Sequence, residues 1–289
     1  MKTRLLILAL LLIVPGCPKQ EAEPKKEEPK VEPKTTEVKK EEPKKEEPKK
    51  EEPKGWAAYP GPDVPVTLAA GQPHWAAIPI STGWDSLKIT QLDYKGVEGK
   101  NAAFTFMSRE LHVPSAWVRA AEPAKGLKVG SPVLLNVYVT SNYGRVKELK
   151  GDKVVVEHHW VTKVESPEVS TRDVLLLSGE LEFGAPVAYK QAADWYSAQL
   201  LHKGADQSWV MGFAGKPVQV PTADVKAVPV GKLFKVGAAV WARFGSGKFM
   251  EAKVVGVLEK GLRYQTKWTK FPAGDKPDEH VYAHVTTGL

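Results

Sequence analysis

Residues 113–133, VPSAWVRAAEPAKGLKVGSPV, align without a gap on residues 220–240, VPTADVKAVPVGKLFKVGAAV, with ten of 21 positions identical. A repeat at a fixed offset, here 107 residues, requires one structural unit to be built more than once. The unit divides again. Gly71, Gly130, Gly184 and Gly237 each open a similar phrase: GQPHWAAIP, GSPVLLNVY, GAPVAYKQ and GAAVWARF. Their spacings of 59, 54 and 53 residues allow only small domains.

Each phrase is followed by a second run (WDSLKITQLDYKG, YGRVKELKGD, WYSAQLLHKGAD, FMEAKVVGVLEKG) and a third (AAFTFM, KVVVEHHW, SWVMGF, LRYQTKW). A short closing segment ends each unit: SAWVRA, RDVLLL, ADVKAV or EHVYAHV. Val, Tyr, Phe, Trp and Thr near-alternate with polar residues, with Gly or Asp at the turns, which is the pattern of half-buried strands. A sustained helical period is absent beyond residue 17. The expected fold is all-β: four tandem small barrels paired two by two, because closing short strands into barrels removes exposed edges. The expected boundaries are 1–16 for a leader, 17–54 for a linker, and 55–123, 124–178, 179–230 and 231–289 for the barrels.

The run VGAAVWARFGSGKFMEAKVVGVLEKG in the fourth unit resembles a Tudor or agenet domain of the wider SH3-like barrel family. WYSAQLLHKG in the third unit is a weaker copy, and the first two units join through the internal repeat. The resemblance implies a binding module. Tudor domains that read methyl-lysine surround the ammonium with aromatics, by cation–π attraction. Here two of those positions fall at Phe244 and Trp268, while Met250 and Gln265 stand where aromatics would be needed. Phe249 and Tyr264 lie nearby. The third unit offers Tyr189, Trp195, Tyr196, Trp209 and Phe213, a set suited to stacking on sugar rings or holding an extended peptide. Alternation places Trp195 and Tyr196 on opposite faces. The candidate ligand-binding aromatics are therefore Tyr189, Tyr196, Trp209, Phe213, Phe244, Phe249, Tyr264 and Trp268.

The first residues read as an address. Lys2 and Arg4 precede ten apolar residues (5–14), too short a stretch to span a bilayer, and Val14-Pro15-Gly16-Cys17 resembles the lipobox of bacterial lipoproteins. That resemblance implies cleavage before Cys17, acylation of its thiol, and an outer-membrane anchor facing the periplasm or the cell surface. Residues 18–54 hold 12 Lys and 12 Glu with regular Pro, and KKEEP repeats from Lys39. Such a segment cannot bury enough apolar surface to fold, and Pro every five residues excludes a helix. It is an extended tether.

The charge of +7 belongs mostly to residues 55–289, spread too thinly for a nucleic-acid partner. Cys17 is the single cysteine, so disulfides within the chain and multi-Cys zinc sites are excluded. His158 and His159 point to opposite faces of a strand; His280 and His284, read as strand, stand about 13 Å apart. All four are expected to be solvated, holding no metal. GSGK (245–248) reads as a hairpin turn, and no catalytic motif or cofactor-binding fingerprint is present. The sequence therefore points to a non-enzymatic, lipid-anchored envelope protein that binds a protein partner or, alternatively, peptidoglycan.

Overall fold

Between residues 71 and 289 the chain runs four times through the same course. Two long antiparallel strands and a third lead into a short fourth, and a single 3₁₀ turn then delivers a last short strand back against the first. The computed structural model describes residues 62, 71–80, 86–98, 100–137, 140–160, 163–270 and 276–289. The leader, Cys17, the tether and residues 63–70 of the first expected barrel lie outside the described residues. Chain contacts divide into two units, Met1–Glu51 and Glu52–Leu289, and every described residue belongs to the second.

Module one comprises β1 (Pro73–Pro79), β2 (Leu87–Glu98), β3 (Asn101–Phe106), β4 (Arg109–Pro114) and β5 (Val118–Ala120), in sheet order β4-β3-β2-β1-β5. Module two comprises β6 (Pro132–Val137), β7 (Thr140–Lys150), β8 (Lys153–Trp160), β9 (Lys163–Glu165), β10 (Glu168–Ser170) and β11 (Val174–Leu176). Module three comprises β12 (Pro186–Gln191), β13 (Asp194–Lys203), β14 (Gln207–Met211), β15 (Pro217–Pro221) and β16 (Val225–Ala227). Module four comprises β17 (Ala239–Phe244), β18 (Lys248–Leu258), β19 (Arg263–Trp268), β20 (Asp278–Val281) and β21 (Val285–Thr286). The 3₁₀ turns before the last strands are Ser115–Trp117, Thr171–Asp173, Thr222–Asp224 and Tyr282–His284. No α-helix occurs among the described residues. The protein is all-β and barrel-like.

The opening glycines explain why the repeat is legible. Each has positive φ (76°, 89°, 79° and 90° at Gly71, Gly130, Gly184 and Gly237), a conformation that costs other residues about 1–2 kcal/mol. Their N–H groups donate to Tyr94, Val146, Leu200 and Leu200's counterpart Val254, at 3.4, 2.7, 2.8 and 2.8 Å. Those four residues donate back to the carbonyls of Gln72, Ser131, Ala185 and Ala238. In every module the register of the second strand then slips: after Tyr94, Val146, Leu200 and Val254. A bulge bends and twists a strand, which is what curling so small a sheet requires.

Modules two and three keep cores of their own: Val133, Leu135, Val146, Val154, Val156 and Val174 in one, and Val187, Tyr189, Leu200, Val210, Val220 and Val225 in the other. Modules one and four share the largest core, from Trp75, Phe104 and Trp117 to Val240, Val254 and Tyr264. Leu134, Leu177, Leu201 and Met211 of the other two modules reach into it. Trp117 meets Trp209 edge-on at 5.5 Å across modules one and three. β13 pairs with β18 at Tyr196 and Lys248, joining modules three and four into one ten-stranded sheet.

A buried cation locks the seams. Arg145, 8% exposed, donates from Nε to Gly261 O (3.3 Å), from Nη1 to Gly130 O (3.1 Å) and from Nη2 to Val230 O (3.2 Å). Its guanidinium also lies 4.5 Å over the Tyr282 ring. The Tyr282 hydroxyl returns to module two, donating to Gly144 O at 3.0 Å.

Candidate functional site

β17 alternates as its sequence requires. Val240 and Ala242 enter the core of module four, so Trp241 and Arg243 face outward. Outward here does not mean into bulk solvent. Modules two and three pack beside that face, leaving a cleft of about 390 Å³ where the three modules meet. Ser141 and Tyr143 come from β7, Ser197 and Gln199 from β13, Met211 from the end of β14, Phe213 from the turn after it, and Arg243 and His284 from module four.

Arg243 carries the full charge of the cleft. Its Nη1 lies 3.1 Å from Nε2 of His284. Arginine only donates, so Nε2 is the acceptor and His284 is neutral. Burial, then Arg243 and His280, push the His284 ring down to about 3. His280 follows, down to about 4, chiefly by burial. Burial lowers Arg243 itself, and burial raises the Tyr143 phenol. Tyr143 donates to Gly184 O at 3.4 Å and stands edge-on to His284 at 6.4 Å. Among the described residues no carboxylate pairs with Arg243. Glu259 and Glu279, whose charges reach His159 on the cleft wall, are held by Arg263 at 2.7 and 2.5 Å. The lip is a closed loop: Gly212 donates to Lys216 O, Gly215 to Gly212 O, and Ser86 Oγ of module one secures Ala214 O at 3.0 Å.

Two further cavities lack this unbalanced charge. One of about 250 Å³ lies between β13 and β18, lined by Trp195 and Trp241 with the Asp194–Lys248 ion pair and Glu251. The other, about 430 Å³, lies where the end of module one meets β11; Arg119, Glu122 and Lys125 bring both signs of charge to its exposed rim.

The aromatics singled out from the sequence have different fates. Tyr264 and Phe249 are buried at 0% and 1% exposure, and Tyr189 at 5%. The Tyr264 hydroxyl accepts from Phe234 N at 3.1 Å. Tyr196 packs on Tyr189 at 5.7 Å, and Trp209 packs on Trp117. Trp195 and Tyr196 do take opposite faces, and both are half-buried: Tyr196 packs against its own module's core, Trp195 against Phe249 and under Lys226 at 4.7 Å. Phe213 and Phe244 stand half exposed, and Phe213 lines the Arg243 cleft. Phe244 and Trp268 come together at 5.4 Å and 90°, while the Trp268 indole donates to Asp278 and Gln265 donates to Glu279.

The expectation of solvated histidines is corrected. His158 is fully buried among Val154, Val156 and its neighbours, and burial lowers it. His280 and His284 are not on one extended strand: His280 belongs to β20, His284 closes the 3₁₀ turn that follows, and both are half-buried. Among the described residues no three His, Cys, Asp or Glu are grouped to hold a metal ion. Residues 245–247 form the expected hairpin turn, with Gly245 and Gly247 at positive φ.

Arg243 and Tyr143 were not singled out from the sequence, and His284 was weighed only as a metal ligand and expected to be solvated. Alternation assigns Arg243 to the outside of its barrel, and only the docking of modules two and three turns that outside into a cleft. Comparison of the chain with protein-family models and with curated proteins finds no match.

Proposed function

We propose that this protein is a lipid-anchored, non-catalytic binding protein of the cell envelope. In this reading it is built of Tudor/SH3-like barrels and uses the Arg243 cleft to hold a protein partner. The observation that carries the reading is a half-buried guanidinium with no carboxylate partner among the described residues, facing a ligand-sized cleft between three modules. A folded chain gains nothing from desolvating such a charge, so the cleft is best explained by a ligand that supplies the counter-charge. The leader, the lipobox-like run ending at Cys17 and the Lys/Glu/Pro tether support an anchor that holds the modules clear of the membrane.

The test is site-specific photo-crosslinking in cells from Phe213, half exposed on the cleft lip, with Leu149 on β7 as the distant control. A discrete partner captured from Phe213, absent from Leu149 and lost on Arg243→Gln, supports the reading. Equal capture at both positions, or capture indifferent to Arg243, overturns it. Peptidoglycan is the second reading, favoured by the Trp195–Trp241 cavity, which combines indole faces with Asp194 and Glu251. Co-sedimentation with purified sacculi that survives Arg243→Gln and fails on Trp241→Ala would select it.

A further inference from the structure

We propose that the Arg243 cleft binds the free carboxylate at the end of a short peptide chain. The inference rests on the reading that this cleft is the binding surface, and it specifies the group that enters. Nη1 is committed to His284, so Nε and Nη2 remain without a protein acceptor among the described residues. Two parallel N–H donors on a planar fork match the two oxygens of a carboxylate.

Charge decides between anions. His284 accepts from Arg243 and is neutral, and burial lowers His159, the other histidine lining the cleft, so the wall offers one positive charge. A carboxylate neutralises it one for one. A phosphate monoester carries about −1.5 to −2 and would leave uncompensated negative charge in a half-buried site. The other walls say what is attached to the carboxylate. Met211 and Pro186 are apolar and buried, while Ser141 and Ser197 place hydroxyls on the same surface. A small apolar side chain beside a peptide group fits that division. At about 390 Å³ the cleft sits near the lower end of ligand cavities, which suits the last two or so residues of a chain.

Such a carboxylate has two sources, an ordinary protein C-terminus or a cell-wall stem peptide ending in D-alanine. The experiment is titration of the full chain in detergent, ¹⁵N-labelled at arginine, with five probes. These are N-acetyl-L-Ala-L-Ala, N-acetyl-D-Ala-D-Ala, the C-terminal amide of each, and methyl phosphate. The Arg243 Nε–H resonance, assigned by its loss in Arg243→Lys, is followed alongside calorimetry. At least one acid should shift that resonance. Its amide should bind about ten-fold or more weaker, and Arg243→Lys should weaken the acid similarly while leaving the melting temperature unchanged. Arg243→Gln and the untouched Arg172 resonance serve as second variant and internal control. The better acid of the L and D pair names the source. Acid and amide of equal affinity, no shift by either acid at about 10 mM, or methyl phosphate tighter than both acids would each overturn the inference. If no acid binds while the Phe213 crosslink still captures its Arg243-dependent partner, the binding function stands and the carboxylate assignment alone falls.

Discussion

Replacing Arg145 by Met tests how the modules are held together. The substitution keeps the apolar stem and removes three hydrogen bonds from a charged donor, each worth about 1.5 kcal/mol net. The carbonyls of Gly130, Val230 and Gly261 lose that donor, and the guanidinium leaves the Tyr282 ring, a contact of about 1–2 kcal/mol when desolvated. Relief from burying a cation offsets part of this, leaving a cost of about 3–5 kcal/mol. That is a large share of the roughly 5–15 kcal/mol that holds a domain folded. The assay is equilibrium urea unfolding followed by tryptophan fluorescence, which reports on both Trp75 and Trp117 in the shared core. A double-mutant cycle refines it. In a Tyr282→Phe background the ring remains and Arg145→Met should cost the same within about 0.5 kcal/mol; in Tyr282→Leu the cost should fall by about 1 kcal/mol. A cost below about 1 kcal/mol for Arg145→Met, in a single unchanged transition, would refute the role of Arg145 as the lock between modules.

Three further outcomes are expected. Gly130→Ala, with open space around the added methyl, should cost only the backbone penalty of about 1–2 kcal/mol, whereas Gly215→Ala, whose Cβ would sit 2.4 Å from Leu87 O, should cost more; paired thermal melts rank them. His280 and His284 are lowered in the fold to about 4 and 3, so the unfolded chain binds protons first as pH falls. Their stability contribution is present above the unfolded value of about 6.5 and lost toward pH 4, and a melting-temperature profile should flatten there in His280→Gln/His284→Gln. Cys17→Ser should abolish incorporation of an alkyne-labelled fatty acid and release the protein from membranes; retained label would remove the anchor from the proposal.

Much of the fold could be read in advance because its constraints are local. A glycine forced to positive φ, an alternating strand and a Gly or Asp turn each leave a mark in sequence, and four copies made the marks visible. The 3₁₀ turns were not visible: SAW, TRD, TAD and YAH share no residue type that distinguishes them from strand, and reading EHVYAHV as extended misplaced His280 and His284. The site was hidden for a different reason. Alternation says which side chains leave a barrel, as Trp195 and Arg243 do, but not what waits outside. Phe249, Lys226 and a small cavity wait for Trp195, whereas a cleft between three modules waits for Arg243.

The four glycine closures have an evolutionary consequence. Because backbone bonds and a bulge define each module, the side chains of a copied gene segment are free to diverge once the scaffold is secured. The sixth residue after the opening glycine shows how far they have gone. It is Ala77 in the shared core, Asn136 accepting from Thr90 of module one, Lys190 in solvent, and Arg243 in the cleft. One position of the repeat serves as filler, joint, surface and cleft wall. A change at that position in one copy leaves the glycine closures of all four untouched.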